Sequence, residues 1–166
     1  MSLLGAEELE ISQAAIERNA TWIEAVENAL DARGDAALVR EVMKAAGQKC
    51  AEQILNDCRQ VLGKKPETVN DLLDATNQRR LQRHNLGDLW ERQDNRAHLK
   101  IDECACTLVR AGLANPNPVH CLCSQGLMES IFSAVCRGPV RVEVVKAIGF
   151  GDDSCEFYVD FVESQG

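Results

Sequence analysis

The hydrophobic period of this chain changes near residue 97, and that change limits its folds more than any single motif does. Up to about residue 96 the apolar positions recur at helical spacing. From Glu7 to Ala32, the residues Leu9, Ile16, Ile23, Val26 and Leu30 make one stripe of an amphipathic helix. Gly34 in "ARGD" ends it, and Asp35 is suited to cap a second helix. There Leu38, Val39, Met43, Ala46, Cys50, Ile54, Cys58 and Val61 form the next stripe, closed by "GKKP" at Gly63 to Pro66. That stripe puts Cys50 and Cys58 on a buried face, packed as small hydrophobes. A short third helix over Thr68–Thr76 rests on Val69, Leu72 and Leu73. The basic patch after it, Arg79, Arg80, Arg83 and His84, reads as a solvated face or an anion or partner site, on a helix surface or an ordered loop.

Beyond Ala97 the pattern alternates. "HLKIDECACTLVRAG" sets Leu99, Ile101 and Glu103 against Lys100, Asp102, Cys104 and Cys106, which is a strand signal. "ANPNP" is a turn or loop, since proline removes a donor and restricts its predecessor. Between Ser124 and Cys136, Leu127, Met128, Ile131, Phe132 and Val135 return to helical spacing, with Ser124 as N-cap and Gly138-Pro139 as the stop. "VRVEVVKAI" and "CEFYVDFV" are strands flanking the turn "GFGDDS". The expected class is α+β: N-terminal helices, then a small antiparallel sheet with one helix packed on it. Residues 1–6 read as a leader, 7–96 as the helical part and 97–166 as the strand–helix–hairpin part of one domain.

A net charge of −8 argues against nucleic acid and against anionic membranes, both of which recruit Lys and Arg. No apolar run approaches the ~20 residues that span a bilayer. The N-terminus lacks the basic region and long apolar stretch of a secretory signal, so the expected location is cytoplasmic. There, eight cysteines serve more often as thiols or metal ligands than as disulfides.

Four of those cysteines lie in "CACTLVRAGLANPNPVHCLC". Alternation along a strand would turn Cys104 and Cys106 to one side, and the "ANPNP" turn would return Cys121 and Cys123 toward them. Such a set suits zinc or an iron–sulfur cluster, with His120 able to replace one sulfur. The spacing Cys-x-Cys is tighter than the usual zinc pair, so a redox-responsive thiol set and plain packing stay open beside the metal. A catalytic alternative takes Cys123, at a helix start, as nucleophile and His120 as base, oriented by Glu103 or Asp102. Nucleotide-binding and serine-hydrolase motifs are absent from the sequence.

The stretch from Cys121 to Phe161 resembles the C-terminal signature of the 4-vinyl reductase domain family, closest to bacterial proteins with a doubled C-x-C pattern. The matching positions are Cys123, Gly126, Gly138, Val142, Glu143, Gly151, Asp152, Cys155 and Phe157. The resemblance implies a fold shared with haem nitric-oxide-binding domains and TRAPP subunits, and a sensor-like domain that binds a small hydrophobic molecule. Leu127, Met128, Ile131, Phe132, Val142 and Phe157 would line its pocket. Related aromatic sensors hold zinc, but Ala147 and Val144 stand where their cysteine and glutamate would be. A metal here would therefore rest on Cys104, Cys106, Cys121 and Cys123, with Cys155. A small cysteine-dependent hydrolase, Cys123 with His120, is the alternative, and the amphipathic N-terminal helix suggests a homodimer.

Overall fold

The computed structural model describes residues 13–33, 35–84 and 89–162. Three helices come first: α1 (Gln13–Asp31), α2 (Ala36–Leu62) and α3 (Val69–His84). A hairpin of β1 (Trp90–Gln93) and β2 (Arg96–Ile101) follows, then two single-turn helices, α4 (Thr107–Arg110) and α5 (Pro118–Cys121). Helix α6 (Cys123–Ser133), β3 (Arg141–Lys146), a 3-10 turn (Ile148–Phe150) and β4 (Cys155–Asp160) complete the chain. The α+β class and its order of helices before sheet are as the periodicity predicts.

Local chemistry explains the boundaries. The Asp35 carboxylate accepts from the amides of Ala37 and Leu38, and Gly63 closes α2 in the left-handed region. The four strands are antiparallel in the order β1-β2-β4-β3. Ala97, Leu99 and Ile101 on β2 and Cys155, Phe157 and Val159 on β4 turn one face inward. On the other face Arg96 grips Asp160 through two bonds of 2.5 and 2.9 Å, and His98 bonds Glu156 at 2.9 Å and stacks on Tyr158. The inward face meets α2, α3 and α6 around Phe132, whose ring packs edge-on to Trp90 and stacks on Phe161.

Helices α2 and α6 meet at backbone distance. A Cβ on Gly47 would land on the carbonyl oxygen of Cys123, and one on Gly126 on that of Lys44. Lys44 and Glu129 form an ion pair across the same seam.

Several boundaries differ from the sequence reading. The predicted first helix begins at residue 7, but residues 7–12, like the leader and Leu9, lie outside the described residues. Within α1, Val26 is exposed and Glu27 takes the inward position. Cys58 is buried as expected, whereas Cys50 is exposed, because a helix turns roughly 100° per residue and neighbouring Ala51 occupies the inward direction. Helix α3 runs on through the basic segment to His84. Arg79 is not a solvated charge there: its Nε donates to the buried Asp57 carboxylate at 2.7 Å. Strand β2 stops at Ile101, so Cys104 and Cys106 lie beyond it and strand alternation does not orient them. Helix α6 starts one residue before Ser124 and ends at Ser133, ahead of the Gly138-Pro139 stop.

The glycine seam makes one expectation direct. Gly47→Ala should destabilise the fold by more than about 2 kcal/mol, since the clash is with backbone that cannot rotate away. Chemical denaturation measures this, and a variant within about 0.5 kcal/mol of the native chain would contradict the close approach.

Candidate functional site: a buried Cys–His–Glu relay

Asn117 builds the site locally. Its side-chain oxygen caps α5 by accepting the His120 amide at 2.8 Å, and Pro118 fills the first helical position, where no amide is needed. One turn of helix thus holds His120 rigidly, with its ring only 4% exposed. The ring bridges two distant segments. Its Nδ1 meets Oε1 of Glu27 on α1 at 2.6 Å, and its Nε2 meets the Cys106 sulfur at 3.3 Å. Glu27 is itself buried, and its second oxygen accepts from the Asn117 side-chain amide at 2.6 Å. No buried side-chain N or O among the described residues is left without a partner.

The electrostatics follow from this chain of contacts. The Cys106 hydrogen bond raises the His120 pKa most, burial opposes it, and Glu27 raises it further, to about 9. Burial penalises a charged Cys106, but the His120 contact and the amides of Val109 and Leu108 outweigh that, so its pKa falls below the ordinary thiol value. Because Nδ1 faces a carboxylate it carries a proton, which leaves Nε2 to exchange its own with sulfur. The contact favours the thiolate–imidazolium form of the pair over the neutral one.

The other cysteines are held in the opposite state. Burial pushes Cys121 to about 11 and Cys123 to about 12, with nearby thiols adding to it. Cys104 is also raised, by burial first. Cys121 packs against Gly149 of the 3-10 turn, and Cys123 against Gly47 through its backbone. The structure therefore places His120 against Cys106, the thiol that begins α4, and the bond expected from Cys123 is not among its contacts. Glu103 and Asp102, the expected orienting acids, are exposed, and Glu27 holds the ring.

Cys104, Cys106, Cys121, Cys123 and Cys155 are free, and no three His, Cys, Asp or Glu side chains among the described residues converge closely enough to hold a metal ion. Met128, Ile131, Phe132, Val142 and Phe157 are packed in the core cluster, and Leu127 packs against it. A shallow groove of about 270 Å³ lies beside α5 instead, lined by Val39, Arg40, Val119, Leu122 and Phe150 among others. No described helix is long and apolar enough to cross a membrane.

Helices followed by a four-stranded antiparallel sheet define the class as α+β. The chain is similar to the crystal structure of trafficking protein particle complex subunit 3 from Naegleria fowleri, covalently bound to palmitic acid, with a TM-score of 0.56 and 15% identity over 89% of this chain and 95% of that one. A model of a family of unknown function, DUF6144, matches residues 5–164, and the chain belongs to that family. No curated protein matches it at a significant level.

Two outcomes are expected from the site. Limiting iodoacetamide near neutral pH should label Cys106 before the other cysteines, as read by peptide mass spectrometry, with Cys121 and Cys123 protected. First labelling elsewhere would contradict the relay. The second concerns stability against pH. Raised His120 adds stability complete below 6.5 and lost as pH climbs through about 9. Lowered Cys106 adds stability complete above its ordinary 9.0 and lost as pH falls through its folded value. From 6.5 to about 9 the two contributions move in opposite directions, the His120 share shrinking as the Cys106 share grows. Cys106→Ser removes both shares, so its thermal midpoint near neutral pH should lie below native by about 3 °C. A midpoint equal to native would contradict the pairing.

Proposed function

We propose that the chain is a small-molecule-binding domain that uses Cys106 as a nucleophile and His120 as its acid–base partner, in acyl transfer or hydrolysis. The observation that carries this reading is the continuous contact from Cys106 through His120 to Glu27. The Cys106 thiolate that His120 favours attacks an electrophilic carbonyl carbon, and the imidazolium gives its proton to the leaving group. The neutral ring then takes a proton from water, whose attack on the thioester releases the acid and restores the thiol. Glu27 holds the ring in the tautomer both steps need. The apolar residues of the groove beside α5 are suited to the substrate's hydrocarbon part.

A related reading keeps the acyl group on the protein. The structural neighbour is described as covalently bound to palmitic acid, and Cys106, a thiol of lowered pKa in contact with His120, is suited to form a thioester with a fatty acyl group. Incubation with p-nitrophenyl acetate and p-nitrophenyl palmitate distinguishes the two. Turnover of either ester marks a hydrolase, and a single stoichiometric acylation of Cys106 marks a carrier. Under both readings His120→Ala slows acylation by roughly a hundredfold or more, and Cys106→Ser abolishes it. Equal acylation of Cys106→Ser would end the proposal. A second copy is the partner we propose for the N-terminal part, on the observation that Trp22 is 68% exposed on α1 near exposed Val26. Sedimentation of the native chain and Trp22→Glu tests it.

A further inference from the structure

We propose that Asn117 is a positioning residue for the relay, acting as a clamp on Glu27 separately from its role as a helix cap; the assignment rests on the reading of Cys106, His120 and Glu27 given above. Asn117 touches both ends of the His120 support. Its Oδ1 accepts the His120 backbone amide at 2.8 Å, and its Nδ2 donates to Glu27 Oε2 at 2.6 Å and also to the Asn115 carbonyl at 3.2 Å. One side chain therefore fixes where the imidazole starts and where its acceptor ends.

The chemistry calls for such a residue. A buried carboxylate offers two oxygens, and only one of them serves the Nδ1 proton. With the other oxygen unpaired, the carboxylate would pay its desolvation cost unaided and swing toward any donor or toward water. The Nδ2 donor holds that second oxygen at 2.6 Å. Glu27 also arrives from α1, an element whose other described side chains are partly buried or exposed. Nothing else on that helix holds the acid as firmly. An amide is the fitting group, because it accepts with one atom and donates with the other. A second carboxylate could cap the helix equally well but would repel Glu27.

That difference gives the test. Asn117→Asp keeps an N-cap and removes the donor; Glu27→Gln removes the charge and turns a donor toward Asn117. Combined, the two substitutions restore one donor facing one carboxylate, with the glutamine oxygen still open to Nδ1. We measure the rate of Cys106 carbamidomethylation near neutral pH in the full chain, with circular dichroism on each variant. Each single variant should slow labelling by about tenfold or more, the worth of one charge-assisted hydrogen bond, and the double variant should return to within about threefold of native. A purely structural cap would leave the rate of Asn117→Asp at the native value, and that result overturns the clamp. So does a double variant no faster than the slower single one. If Asn117→Asp fails to fold, Asn117→Ser supplies the same contrast, a cap without the amide donor. First labelling of a different cysteine in the native chain would overturn the relay itself, and this assignment with it, which separates the two failures.

Discussion

The close approach of α2 and α6 is the constraint from which the rest of the arrangement follows. With glycine at 47 and 126 the two backbones touch, and the N-terminal end of α6 is pressed against the middle of α2. Helix α5 ends one residue before Leu122 and α6 starts one residue after it, so fixing α6 also fixes the single turn that bears His120. At its other end α6 carries Phe132 into the aromatic cluster with Trp90 and Phe161, which anchors the sheet. Apolar packing thus sets the position of a polar site that it does not itself contain. This division is common where a rigid scaffold presents a short functional segment.

Within that frame one residue type occupies sharply different surroundings. Cys58 is sealed in the core, its thiol raised to about 11 chiefly by burial. Cys121 and Cys123 are raised likewise, although they flank the same histidine region as Cys106. What separates Cys106 is a partner able to carry the opposite charge, and a second charge behind that partner. Breaking the line at either end leaves a buried ionisable group without compensation, which is why such groups are costly singly and tolerable as a set.

Much of the fold was legible. The three early helices, the Asp35 cap, the Gly63 stop and the last two strands follow from spacing and from residues with specific backbone preferences. The pieces missed are short. Strand β1 has four residues, and so do α4 and α5, too few for any period to register. The site was half legible. His120 and the cysteine stretch stood out by residue type, but alternation was extended past Ile101, where the strand had ended. That gave Cys106 a direction shared with Cys104 that the chain does not follow, and Cys123 was favoured for its place at a helix start. Glu27 was missed despite a readable signal. It lies four residues after Ile23 and three before Leu30, an acid set into the apolar stripe of α1, where a charge needs a buried partner. The identity of that partner was not legible, because a single sequence does not say which distant residues meet.

That distance has a consequence for how the chain acquires its chemistry. Glu27 and His120 stand 93 positions apart, and Cys106 comes from yet another loop. Bringing them together requires α1 to have docked, the sheet to have formed and α6 to have seated, since each fixes one corner. In a chain not yet closed, Cys106 is an ordinary thiol among eight. The relay is therefore a non-local assembly, built from segments far apart in the chain. Folding therefore redistributes thiol acidity, quieting Cys58, Cys121 and Cys123 while favouring the thiolate at Cys106.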